Sequence, residues 1–289
     1  MIPVISDARE MTARSRAWRG SGQRIGFVPT MGALHEGHLS LVRAAIQVAD
    51  RVVASIFVNP LQFGPGEDLD RYPRDLKRDR ELLERAGCDL IFASSADEMY
   101  PPGYSTFVVN DGPAERLEGA IRPGHFRGVL TVVAKLFNIV VPDVAVFGQK
   151  DAQQAMLIRR MVRDLNFDLE MLVEPIVREA DGLAISSRNV YLSDGGRGQA
   201  AWLFRALGRA EQRFRAGERE AGKLVGAARH ALEFEAGLAV DYVTLVDPDS
   251  LEELERCDPA GLMLVAARVE EVRLIDNLLL DARYGKADS

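Results

Sequence analysis

The chain has 289 residues, 43 of them acidic and 36 basic, for a net charge of −7. That balance argues against generic nucleic-acid binding, which needs a basic surface to neutralise phosphates, and leaves open a local basic pocket for a small anion. Apolar residues at 47% and charged residues at 27% are those of an ordinary globular protein, long enough for one large domain or two unequal ones.

Along the chain, IGFV (25–28) is a β-type run that should end at Pro29. Leu39, Val42, Ile46 and Ala49 then recur at helical spacing. RVVASIFV (51–58) is rich in β-branched residues and stops at Asn59-Pro60. A polar loop leads to a charged helix over about 74–86, and DLIFA (89–93) is a third strand. Residues 126–140 are apolar and long enough for a helix. VAVFG (144–148), a helix over 152–165 and LEMLVEP (169–175) follow. This alternation predicts right-handed βαβ units and a doubly wound parallel sheet. After about 177 the order changes to two helices (195–215 and 218–235), then strands at 242–246, 262–269 and 272–280, which suggests a smaller α+β unit. The boundary is placed near 176, giving domains 1–176 and 177–289.

Cys88 and Cys257 are far apart without CxxC spacing, so neither a disulfide framework nor a structural zinc site is expected. MIPVISDAREM lacks the charged-then-apolar order of a signal peptide. The most apolar stretch, 128–147, is interrupted by Lys135, Asn138, Pro142 and Asp143, which argues against a membrane span. A soluble, cytoplasmic protein is the expectation.

In open α/β sheets ligands bind beyond the carboxyl ends of the strands. PTMGALHEGH (29–38) lies there. Gly32 and Gly37 let backbone approach a ligand, and a helix start suits phosphate. His35 and His38, three apart, share a face if the turn is already helical. The alternatives are a helix cap with a packing histidine, or a metal pair. HxxH without a third ligand is not a zinc signature, so no metal ligands are assigned. GQKD (148–151) places Lys150 between strand and helix. VNPLQFGPGED (58–68) offers Asn59, Gln62 and Phe63, whose amides hold carboxylates and hydroxyls without charge; Asn-Pro and Gly-Pro also simply make turns. RPGHFRG (122–128) adds Arg122 and His125. READGLAISSRN (178–189) is either a polar linker or a source of hydroxyl and guanidinium donors for a polyphosphate. The run DLDRYPRDLKRDRELLERAG (68–87) reads as a solvated helix face with opposite-charge pairs. His230 receives no role.

Taken in order, PTMGALHEGHLSLV, VNPLQFGPGEDLDRYPR, LEGAIRPGHFRGV, FGQKDAQQ and READGLAISSRNVYL resemble the pantoate–β-alanine ligase (pantothenate synthetase) family over most of residues 25–192. The resemblance implies a Rossmann-like fold of the nucleotidyl transferase superfamily, with HEGH standing as its "HIGH" signature. It also implies a smaller C-terminal domain closing over the site and a homodimer. The implied reaction joins pantoate to β-alanine at the expense of ATP, through a pantoyl adenylate, with Mg2+ bound mainly through the phosphates. Carried over by position, Met31, Gly32, Ala33, Leu34, His35, Glu36, Gly37 and His38 line the ATP site. Gly148, Gln149, Lys150, Asp151, Val177, Ile185, Ser186, Ser187 and Arg188 complete it. Gln62, Gln154, Asn59 and Phe63 face pantoate and β-alanine. His38, His35, Lys150 and Arg188 are the implied catalytic groups. Ile185 departs from the family's usual Met, a volume-conserving change. A nucleotidylyltransferase and a non-catalytic nucleotide-binding module are the rival readings.

Overall fold

In the computed structural model, residues 1–236 and 238–285 are described. The chain divides into two compact units, Met1–Gln149 with Gln153–Pro175, and Lys150–Ala152 with Ile176–Ser289.

The first unit is built on six parallel strands. They are β1 (Val4–Ile5), β2 (Ile25–Thr30), β3 (Arg51–Ile56), β4 (Leu90–Phe92), β5 (Val144–Gly148) and β6 (Glu170–Glu174), in the order β1-β4-β3-β2-β5-β6. Strands β2 to β5 are buried along nearly their whole length, which is why they read as continuous apolar runs and not as alternating ones. The helices are α1 (Ala8–Gly20), α2 (Glu36–Val48), α3 (Leu76–Ala86), the single turns α4 (Ala96–Met99) and α5 (Glu118–Ile121), α6 (His125–Val140) and α7 (Ala152–Asp164). Asp7 caps α1 by accepting the Glu10 N–H at 2.7 Å, and Asp75 caps α3 by accepting the Arg78 N–H at 3.0 Å. These side chains satisfy donors that have no intrahelical partner. Eleven of the sixteen α6 residues are buried, and Thr12 of α1 donates to Ile139 O at 2.9 Å to tie the two helices.

Two features differ from the sequence expectation. β2 runs through Pro29 to Thr30. Thr30 O faces β3, accepting the Phe57 N–H at 3.0 Å. Alternation therefore aims the Pro29 nitrogen at the β5 side, where pairing covers only Gly26 and Phe27, so no ladder bond is lost. β1 is a two-residue strand with no pattern of its own, recruited by pairing with Ile91 and Phe92.

The second unit holds α8 (Asp194–Ala200), α9 (Trp202–Arg215), α10 (Ala221–His230) and an antiparallel sheet β7 (Ala239–Val246), β8 (Ala260–Val269) and β9 (Val272–Asp281), with β8 central. The helix expected over 195–215 is broken at Ala201; three glycines in α8 weaken its intrinsic preference. The one expected over 218–235 is α10 followed by a π-type turn at Ala231–Glu235. Leu203, Leu207, Phe214, Leu224, Val265 and Leu274 belong to the core between these helices and the sheet.

Candidate active site

The strand order reverses between β2 and β5, with β3 and β4 on one side and β6 on the other. A crevice at such a switch point is where an open α/β sheet takes its ligand. Just beyond β2, Gly32 (φ +83°) and Ala33 (φ +52°) are both in the left-handed region, costly for a residue with a side chain unless its surroundings hold it. The holding group is Asp79 of α3. Its Oδ2 accepts the Ala33 N–H and its Oδ1 the Leu34 N–H, both at 2.9 Å. A side chain at Gly32 would meet that carboxylate at 2.9 Å. Thr30 Oγ1 takes the Gly32 N–H at 3.1 Å and donates to Ser55 O at 2.7 Å.

Asp79 is 1% exposed, and the Arg78 guanidinium stands 4.0 Å away. Burial pushes its carboxyl above the ordinary value, against the two N–H bonds that favour the carboxylate. Asp79 is therefore not part of a solvated helix face, as its charged surroundings suggest; it is the clamp on the histidine turn. Leu34 is held in the same turn. Its side chain is buried in the core and its N–H is committed to Asp79.

His35 forms the N-cap position of α2. The His35 N–H donates to His38 Nδ1 at 3.4 Å, and the two rings lie 4.1 Å apart at 33°. With Nδ1 accepting, the neutral His38 ring carries its proton on Nε2. Glu36 is exposed and paired with Arg43.

Asn59 and Gln62 follow β3 on a turn of 3-10 helix, Pro60–Gln62, and are 1% and 9% exposed. Asn59 Nδ2 donates to Gln62 Oε1 at 3.0 Å and to Gly128 O at 3.1 Å; Gln62 Nε2 lies 2.9 Å from Met31 Sδ. The structure thus brings Met31, Asn59 and Gln62 together. Phe63 packs edge-on against Tyr72, with centroids 6.0 Å apart. Arg122 binds Glu67 through Nε at 2.8 Å, and His125 Nδ1 is 2.8 Å from Gln62 O. Burial raises the Glu67 carboxyl, but the bonds and charge of Arg122 outweigh it and hold the group below its ordinary value. Arg122 is accordingly engaged by a carboxylate of the chain itself. A cavity of about 400 Å3 runs from Met31 and Gly32 past Phe57 and Asp79 to Arg74 and Ser94.

Gly148 ends β5 and Gln149 opens a 3-10 turn. Gln154 is half-buried in α7. Its neighbour Gln153, which sequence reasoning passed over, is 5% exposed and binds Glu118 N–H, Pro113 O and Arg116 O at 2.9–3.1 Å.

In the second unit, Lys150 Nζ is 3.8 Å from Asp151, and Lys150 O accepts from Asn277 Nδ2 at 3.1 Å. Ile185 N–H donates to Val177 O at 3.0 Å, and Ser186 Oγ accepts the Arg188 N–H at 3.3 Å. Ser187 begins a 3-10 turn to Tyr191. The stretch is pinned by Arg178, which forks onto Asp276 at 2.7 and 2.9 Å and reaches Gly182 O at 3.0 Å. Adjacent residues of β9, Asp276 and Asn277, thus hold both this loop and the Lys150 backbone. Their signal in the sequence is two polar residues interrupting the apolar run VRLIDNLLL. Among the described residues no three His, Cys, Asp or Glu side chains gather as a metal-ligand set, and no helix is long and apolar enough to cross a membrane.

The parallel sheet, its switch-point crevice and the clamped histidine turn define a Rossmann-like α/β enzyme class. The family model described as pantoate-beta-alanine ligase matches residues 3–279. A pantothenate synthetase of Heliobacterium modesticaldum is 55% identical over 278 residues, covering 96% of this chain and 99% of that one. The crystal structure of pantothenate synthetase from Thermus thermophilus matches with a TM-score of 0.90 at 48% identity, over 96% of this chain and 99% of that one. The pantoate-beta-alanine ligase from Francisella tularensis, complexed with beta-gamma ATP and beta-alanine, matches with a TM-score of 0.79 at 32% identity, over 96% and 98%. This chain belongs to the pantoate–β-alanine ligase family.

Proposed function

We propose that this chain condenses pantoate with β-alanine using ATP, releasing AMP and pyrophosphate. Family membership across residues 3–279 is the observation that carries the reading, and the arrangement of charged and amide groups described above supports it.

In the first step a pantoate carboxylate oxygen attacks the α-phosphorus of ATP. The bond to the bridging oxygen breaks and pyrophosphate leaves, giving pantoyl adenylate. Negative charge builds on phosphate oxygens as this happens, and fixed cationic or N–H donors stabilise it more than the ground state. His35 and His38 take that role at the start of α2, where the helix dipole adds to it, and Lys150 and Arg188 act on the phosphates. Mg2+ would be bound mainly through the phosphates of ATP, as suits a cation that dehydrates reluctantly, and would offset charge there. Gln62 and Gln154 hold the acid, with Phe63 beside them and Asn59 backing Gln62. In the second step the free amine of β-alanine attacks the acyl carbon. The carbon–oxygen bond to AMP breaks and the nitrogen sheds a proton to solvent or base. Positioning carries this step, since AMP is already a good leaving group. A homodimer and a cytoplasmic setting follow the same family resemblance.

The deciding assay mixes protein, ATP, Mg2+, pantoate and β-alanine and measures AMP. Release that requires both organic substrates is expected; release indifferent to either one refutes the reading. Pyrophosphate exchange into ATP with pantoate alone tests the adenylate.

A further inference from the structure

Tyr100 follows α4, with its N–H bonded to Ala96 O at 2.7 Å. Its ring is set between Phe57 and Tyr104, at centroid distances of 6.1 and 5.0 Å. That packing leaves the hydroxyl one direction, and it donates to Asn59 Oδ1 at 2.8 Å. The same oxygen takes the Leu61 N–H at 3.3 Å, while Asn59 Nδ2 is shared by Gly128 O and Gln62 Oε1. The Asn59 amide has one tolerable orientation. Turned over, it would set its NH2 against the Leu61 N–H and its oxygen against Gly128 O, neither of which can change role, and would remove the acceptor the Tyr100 hydroxyl uses, all at a buried site where unmet polar groups are costly.

This orientation passes on to Gln62. A donor already occupies Gln62 Oε1, so the amide offers its Nε2 hydrogens outward. Their neighbour is the Met31 thioether, a weak acceptor that an oxygen anion readily outbids. Gly128 makes the relay sterically possible, because a side chain there would strike Leu61 O at 2.2 Å. Burial holds the Tyr100 phenol well above its ordinary value, so it remains a donor throughout the working pH range.

We propose that Tyr100 is a positioning residue. Its hydroxyl, acting through Asn59, fixes the Gln62 amide with nitrogen toward the carboxylate or hydroxyl oxygen of the acid substrate. This deepens the proposed function and rests on Gln62 contacting pantoate. It makes the site selective for an acceptor at that point and against a donor.

The experiment is steady-state kinetics on the full chain, varying pantoate and ATP separately. Tyr100→Phe keeps the ring packing and removes one hydrogen bond. The KM for pantoate should rise about five- to tenfold, the usual worth of such a bond, with the KM for ATP within about twofold. Gln62→Ala should also raise the pantoate KM. In that background Tyr100→Phe should add less than about twofold, since residues acting in series are not additive. Full multiplicative effects, a matching rise in the ATP KM, or an unchanged pantoate KM in Tyr100→Phe overturns the relay. If Gln62→Ala leaves the pantoate KM unchanged, the reading of Gln62 itself fails, and the two failures are thereby told apart. Should Tyr100→Phe not fold, Asn59→Asp tests the same step. It places an acceptor against Gln62 Oε1 and turns that amide over, so the pantoate KM should rise about tenfold or more; a wild-type value refutes the proposal.

Discussion

The histidine turn and the 178–188 loop are both irregular segments carrying proposed phosphate contacts, and they are anchored by opposite means. A lone buried carboxylate grips the turn by its backbone, Asp79 to the N–H groups of Ala33 and Leu34. The loop is gripped by a side chain, Arg178 forked onto Asp276. A carboxylate on two amides fixes φ and ψ directly and is indifferent to which side chains the turn bears. A guanidinium–carboxylate pair fixes one point, and here a second pair, Arg197 with Glu179, and local caps such as Ser186 hold the remaining backbone. The first device suits residues that must be aimed before substrate arrives; the second suits a segment that is tethered at its base.

The sharpest way to break this comparison is at the ion pair. Arg178→Met leaves Asp276, whose side chain is 2% exposed, without its partner. Loss of one member of such a pair costs about 3–5 kcal/mol, with the lower end expected here because the Arg178 side is partly solvated. Arg178→Met combined with Asp276→Leu should recover most of that stability. Denaturant melts of the three proteins decide it: if the double variant is as unstable as the single one, the pair is not what holds the loop. Next in size is Lys150→Ala, which removes a charge and no anchor, since only the Lys150 backbone is held by Asn277. Pyrophosphate exchange should fall by ~10²–10³ with the melting temperature unmoved. Near-normal exchange would take Lys150 out of the chemistry.

These two anchors also divide what the sequence discloses from what it hides. The central strands are legible because parallel strands covered on both faces carry uninterrupted apolar residues. Asn59, Gln62 and the histidines could be nominated from the sequence because they follow strand ends, and the structure sets them on turns after β3 and β2; their roles are the proposal made above. Asp79 is hidden. It stands among seven other charged residues between Asp75 and Arg85, and its burial is decided by a turn 46 positions away at Ala33. The one available clue is helical spacing: Asp79 lies four residues before Leu83, on the stripe that faces the core. Asp276 is hidden for a related reason. Inside a strand a buried acid is readable only if its partner is known, and Arg178 is 98 residues distant. β1 is invisible because two residues carry no period.

A smaller and more exacting test concerns the charge on Asp79. Asp79→Ala strands two N–H groups, costing about 1–3 kcal/mol, and should lower kcat by roughly 10² through misaimed histidines, with Gly32 and Ala33 free to leave the left-handed region. Asp79→Asn is milder and exposes the sign of the electrostatics. Burial raises the Asp79 carboxyl above its ordinary value, so the folded protein holds that proton more tightly than the unfolded chain does. The stabilising contribution is complete below the unfolded value and is lost as pH rises through the folded one. Wild type should therefore lose stability relative to Asp79→Asn as pH climbs from the ordinary carboxylate range, about 4, toward neutrality. Paired melts across that range measure the difference, and a gap that widens in the other direction means the two N–H bonds outweigh burial. Either way, activity should follow the carboxylate: a turn that works equally well with Asn at 79 is not held in the manner described.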